Sequence, residues 1–149
     1  MANKLSDLGG SIFYDGYDGE AMITLIADAA SKAGWLVGQT SGAGTAVPVD
    51  TNANLDELDG ICVERYDTDI DSVYGAGVII DVALPKAGRR YIVAIYSAGA
   101  LYAGEPMIPN AGTNAGMLIA GANLEVGHLA RLFKNITAAD NFAIVTWGV

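Results

Sequence analysis

"RRYIVAIYSAGALYAGEPMIP", Arg89 to Pro109, decides how the rest of the chain is read. In an extended backbone Tyr91, Val93 and Ile95 point to one side, and Ile92, Ala94 and Tyr96 to the other. Both sets are apolar, the pattern of a central strand covered on two faces. After Ser97 the run breaks on small residues. Gly104 sits where the chain must turn back, a task suited to the freedom of glycine in φ. The stretch holds packing and turning residues, and no catalytic group.

The surrounding chain has the same character. Its 19 glycines are spread evenly, which disfavours long helices and suits short strands separated by turns. Strands are predicted at Met22 to Ala27, Trp35 to Gln39, Thr45 to Val49, Ile61 to Arg65, Gly77 to Leu84, Tyr91 to Ser97, Met117 to Ala120 and Phe142 to Trp147, where valine, isoleucine and tyrosine concentrate. Two segments stay ambiguous. Residues 27–32 fit a helical turn, and His128 to Lys134 carries Leu129, Leu132 and Phe133 at helical spacing. The fold class expected is all-β.

The stretch also has a partner elsewhere in the chain. "ITLIADAASKAGWLV", Ile23 to Val37, aligns with "VAIYSAGALYAGEPM", Val93 to Met107, at an offset of about 70 residues. Strand, small-residue break and Ala-Gly fall in step. Downstream, Asn54-Leu55 matches Asn123-Leu124, Gly60-Ile61 matches Gly127-His128, and Arg65 and Arg131 follow. Both copies end in an apolar strand, "GVIIDVAL" and "FAIVTWGV". This reads as a duplication, with a first β module over 20–84 and a second over 85–149 in one compact domain. By this alignment Met22 to Ala27 is a strand because its counterpart is one. Residues 1–19 fall outside the repeat and are expected to form an extended arm. Its Ile12, Phe13, Tyr14 and Tyr17 are the candidate interface residues, because aromatics supply large buried area at protein contacts.

Charge and composition exclude several function classes. The net charge is −9, from 17 acidic and 8 basic residues. This argues against nucleic acid as a partner, which requires clustered Lys and Arg. The only adjacent basic pair is Arg89-Arg90. No apolar run approaches a membrane span, so no membrane association is expected. The first residues lack the apolar centre of a secretory signal. The lone Cys62 has no partner for a disulfide and reads as a small buried hydrophobe.

Catalytic signals are absent. The single histidine, His128, has no neighbouring ligand for zinc, and there is no Gly-x-Ser-x-Gly elbow or phosphate-binding glycine loop. Asp67, Asp69 and Asp71 in "DTDIDSVYG" alternate as calcium ligands do. Ser72 stands where an EF-hand loop needs glycine and Val78 where it needs glutamate, so a solvated acidic loop is expected. No enzyme activity, cofactor or bound metal is expected.

The order "AGWLV … GTAVPVD … LDGICVER … GAGVIIDVALP", followed by "YSAGALYAGEPMIP", "AGMLIAG" and "VGHLARLFKNITAADNFAIVTW", resembles the capsid decoration, or cement, proteins of tailed phages and related viruses. The resemblance spans roughly Gly19 to Val149. It implies a β-tulip-like or small-barrel-like fold, often a homotrimer, made in the host cytoplasm and bound to the outer surface of the virion. There it would bridge subunits of the major capsid protein, its arm running along the shell. The alternative is a β-rich ligand- or calcium-binding module of a viral fibre or cell-surface protein.

Overall fold

The computed structural model describes residues 3–39, 45–48, 60–97, 99–110, 115–121 and 129–148. Among them there is one short 3₁₀ turn, Leu5–Leu8, and twelve strands in three sheets, with no α-helix. The chain is all-β, as its glycine spacing and β-branched runs demand.

The first sheet is a closed barrel. It is built from β1 (Ala21–Ala27), β3 (Leu36–Gln39), β4 (Thr45–Pro48), β5 (Gly60–Cys62) and β7 (Ile79–Leu84). A two-residue pair, β2 (Ser31–Lys32) with β6 (Val73–Tyr74), lies beside it. The second sheet has five strands: β8 (Arg90–Ala94), β9 (Pro106–Pro109), β10 (Leu118–Ala120), β11 (Ala130–Leu132) and β12 (Phe142–Trp147).

The two sheets have the same strand order. The barrel runs β1-β4-β3-β5-β7, and the second sheet, in the corresponding order, runs β8, β10, β9, β11, β12, with β10 and β8 as its two ends. The registers correspond as well. Leu36↔Ile61 and Val37↔Gly60 have their counterparts in Pro106↔Arg131 and Met107↔Ala130. Ile61↔Ala83 and Cys62↔Val82 match Arg131↔Thr146 and Leu132↔Val145. Leu25↔Ile80 matches Val93↔Ala143. The parallel contact of β1 with β4 at Ala27↔Ala46 recurs as a single parallel bridge, Ile95↔Leu118. Turn hydrogen bonds repeat too. The N–H of Gly34 donates to the Cys62 carbonyl at 2.9 Å, and that of Gly104 to the Leu132 carbonyl at 2.7 Å. Both glycines take positive φ, 88° and 93°.

This register revises the alignment in both parts: in the first strand Leu25, not Ile23, matches Val93, and the downstream matches shift as well. Gly60 corresponds to Ala130 rather than Gly127, and Arg131 to Ile61 rather than following Arg65. Asn54-Leu55, Asn123-Leu124 and His128 lie outside the described residues. Residues 27–32 form no helical turn; β1 ends at Ala27 and Ser31–Lys32 pairs with β6. The helical spacing of Leu129, Leu132 and Phe133 misleads, because Ala130–Leu132 is a strand clamped between β9 and β12.

Among the described residues there are two apolar clusters. The barrel interior holds Leu25, Val37, Cys62, Ile80 and Val82. The larger cluster combines the second sheet, through Tyr91, Val93, Met107, Leu118 and Val145, with Ala33, Leu36, Ile61 and Ala83 of the first half.

Candidate functional site

The N-terminal segment does not extend away from the fold. Leu5 and Ile12 are fully buried and Phe13 nearly so, all three within the larger core cluster. The apolar faces of β8 and β12 need cover, and this segment supplies part of it. Phe13 forms an antiparallel bridge to Tyr91, and the Ile92 N–H donates to the Ile12 carbonyl at 2.8 Å. The pairing satisfies the β8 edge, where the second sheet stays open. The Asn3 side chain caps β12. Its amide donates to the Phe142 carbonyl at 3.1 Å, and its oxygen accepts from the N–H groups of Asn141 and Phe142.

The adjacent arginines fasten the rest of the segment. The Arg89 guanidinium pairs with Glu20 at 2.9 Å, with the Glu20 side chain only 1% exposed, and donates to the carbonyls of Asp18 and Gly16. Arg90 pairs with Asp15 at 2.7 Å. Partial burial alone would raise the Asp15 carboxyl, but hydrogen bonds from Arg90 and its charge prevail and hold it below its ordinary value. Tyr91, fully buried, donates to Glu20 at 2.9 Å and accepts from the Lys86 N–H. Burial first, and then the Glu20 carboxylate, push its phenol up to about 12. The Arg89-Arg90 pair before a buried strand was the one sequence signal that could have located this clamp.

Glu64 is a buried carboxylate, 5% exposed, that serves the same purpose from the barrel side. It accepts the Ile12 N–H at 3.0 Å and hydrogen bonds from the hydroxyls of Tyr17 and Tyr66. The two phenols lie 2.8 Å apart. Burial and then the bond to Glu64 drive the Tyr17 phenol well above its ordinary value. Sequence reasoning missed Glu64 because nothing local marks a carboxylate whose donors come from residues 12 and 17.

The four expected interface residues therefore divide. Ile12 and Phe13 are built into the chain's own core, which removes them as anchors for a neighbour; the physical reason is the open edge and apolar outer face of the second sheet. Tyr14 and Tyr17 remain 40% and 47% exposed. Tyr14 belongs to a surface the sequence did not suggest. Its ring lies 5.9 Å from that of Phe133, and the Arg90 guanidinium sits 5.2 Å from the first and 4.6 Å from the second. Lys134 stands 5.6 Å from the Tyr14 ring. Two aromatic rings, the Asp15-paired Arg90 and Lys134 form an aromatic and cationic spot, a combination suited to binding a protein surface.

The acidic loop is occupied by protein partners. Asp67 is held by Arg65 at 2.6 Å, Asp71 accepts from the backbone and hydroxyl of Ser6, and Asp69 accepts the Asp71 N–H. Its carboxylates point to three separate tasks rather than to one centre. Among the described residues no group of three potential ligands gathers, and no helix is long and apolar enough to cross a membrane.

No family model and no curated protein matches the chain. Solved structures do. The N base of the head fibre protein gp8.5 of bacteriophage phi29 superposes with a TM-score of 0.57 at 9% identity, covering 87% of this chain and 94% of that one. A chain of the capsid of Myoviridae phage XM1 superposes with a TM-score of 0.62 at 16% identity, covering 92% and 87%. The fold is thus shared with proteins of phage heads, in agreement with the resemblance to capsid-associated proteins carried by its sequence.

Proposed function

We propose that the chain is a structural protein of a phage virion that binds the outside of the capsid and stabilises it by bridging subunits of the major capsid protein. The observation that carries this reading is the likeness, over most of both chains, to two phage-head proteins. Fold alone does not fix function, but the surface is compatible. The Tyr14–Phe133–Arg90–Lys134 spot is the capsid-facing contact in this reading. A contact of modest strength suffices, because a lattice engages many copies at once. Binding to the intact shell and not to dispersed subunits raises shell stability by linkage. The protein has no enzymatic role and no cofactor, and would be made in the host cytoplasm before joining the virion.

A second reading keeps the virion but changes the task. The likeness to a head-fibre base favours a chain that anchors a fibre on the capsid without strengthening it. One experiment separates the two. Purified protein is added to expanded shells lacking it, and bound copies and shell melting temperature are measured. Binding with a raised melting temperature supports stabilisation. Binding without it supports the fibre base, and absence of binding overturns both. Substituting Phe133→Asp and Tyr14→Asp together should weaken binding at least tenfold while the protein stays folded.

A further inference from the structure

The corresponding surfaces of the two sheets have different fates. In the second sheet the outward residues of β8 and β12 are covered: Ile92, Ala94 and Phe142 are 2%, 1% and 4% exposed. Part of the cover is the β2–β3 turn of the first half. A Cβ on Gly34 would lie 2.8 Å from the Phe142 ring, and the Ala94 N–H donates to the Gly34 carbonyl at 2.8 Å. Turn and sheet face are thus complementary partners within one chain.

Each has a counterpart with no such cover. The strand registers equate Ala94 and Phe142 with Ile26 and Ile79 of the barrel, which pair directly with one another. These are 47% and 60% exposed. The second copy of the turn, Leu101 to Glu105, is also open. Its Tyr102 is 66% exposed and nothing lies within 4 Å of a Cβ on Gly104. Charge is complementary as well. Exposed Asp81 neighbours Ile79 on the barrel face, and exposed Arg131 donates to the Gly104 carbonyl at the turn.

We propose that a second copy of this chain binds head to tail, its Leu101–Glu105 turn seating Tyr102 on the Ile26–Ile79 pair, with Arg131 facing Asp81. The contact repeats between molecules the one that joins the two halves within a molecule. It differs in one respect. The barrel is closed by β1 and β4, so side chains carry the docking where Gly34 uses its backbone. A contact of this kind is heterologous, and successive copies add in one direction, to a ring where the rotation closes and to a filament where it does not. The inference stands on the internal repeat and is independent of capsid binding.

The test uses the full chain and its mass in solution by light scattering and sedimentation across the micromolar range. The wild type should exceed the monomer mass. Ile79→Glu and Tyr102→Glu, both at exposed positions and checked for retained fold by circular dichroism, should each be monomeric. Mixed together they should form a dimer and nothing larger, because one keeps an intact turn and the other an intact face. A monomeric wild type overturns the proposal, as does an oligomer that survives either substitution. Two monomeric variants that fail to combine also overturn it, and a Tyr102→Glu form that still associates while Ile79→Glu does not points to a face-to-face contact instead. A monomeric wild type whose Ile79→Glu form loses capsid binding assigns the face to the capsid instead.

Discussion

Gly60 brings β5 closer to β7 than any side chain permits. A Cβ there would lie 2.0 Å from the Ala83 carbonyl oxygen, whereas its counterpart in the second sheet is alanine, at position 130. Gly60→Ala should therefore cost roughly 1–3 kcal/mol or more through overpacking, read as a lowered denaturant midpoint, while Ala130→Gly should cost less. A second residue-scale expectation concerns alkaline pH. Burial, with Glu20 added for the phenol, raises Tyr91 from its ordinary 10 and Cys62 from 9, each to about 12. The folded state favours both neutral forms, so their contribution is complete below pH 9 and is lost as pH rises from there through 12. The unfolding midpoint in denaturant should fall between neutral pH and about 11. Tyr91→Phe should flatten that fall and lower stability at neutral pH, since Glu20 and the Lys86 N–H lose a partner. In the native state Cys62 should resist thiol reagents, because the thiolate is the reactive form.

At the scale of elements, the N-terminal segment is where structure and sequence part. Buried Leu5, Ile12 and Phe13 each contribute about 1.5–3 kcal/mol of apolar burial. Together these approach the whole stability of an ordinary domain, about 5–15 kcal/mol. Deleting residues 2–18 should abolish folding or lower the melting temperature sharply in calorimetry; an unchanged melt would return the segment to the status of a free arm. Its burial was not legible because its partners, Tyr91 and Ile92, are distant in sequence and neither end of the contact carries a local pattern. The long strands were legible because alternation over four or more residues is a local signal. β2 and β6, of two residues each, are too short to show a period, and β9 is bounded by prolines. β11 was obscured by leucines three apart that β9 and β12 hold in a strand. The repeat was legible at Gly34 and Gly104, where a positive φ demands glycine in both copies. It slipped at Gly60 because a neighbouring glycine, Gly127, offered a better letter match than the true counterpart.

For the whole molecule, the shared strand order raises the question of whether the halves are independent. The modules proposed over 20–84 and 85–149 each have a complete set of strands, yet the larger core draws Ala33, Leu36, Ile61 and Ala83 from one and Tyr91 through Trp147 from the other. Hydrogen bonds also cross between them. The Leu36 N–H donates to the Gly116 carbonyl at 2.7 Å, and the Ala94 N–H to that of Gly34. The barrel of the first module is closed by β1 and β4. The second sheet joins its ends by one bridge and leaves the β8 edge to the N-terminal segment and the Gly34 turn. The halves are therefore unequal in what they need. Residues 85–149 alone would present Ile92, Ala94 and Phe142 to water, together with unpaired backbone groups on β8, a combination that favours aggregation over folding. The full chain should melt in a single calorimetric transition whose van't Hoff and calorimetric enthalpies agree. Residues 85–149 expressed alone should be unfolded or insoluble, and residues 1–84 added in trans should recover part of the native near-ultraviolet circular dichroism. Two separate transitions, or a folded second half by itself, would show that each sheet is a self-sufficient domain and that the core between them is a contact surface only.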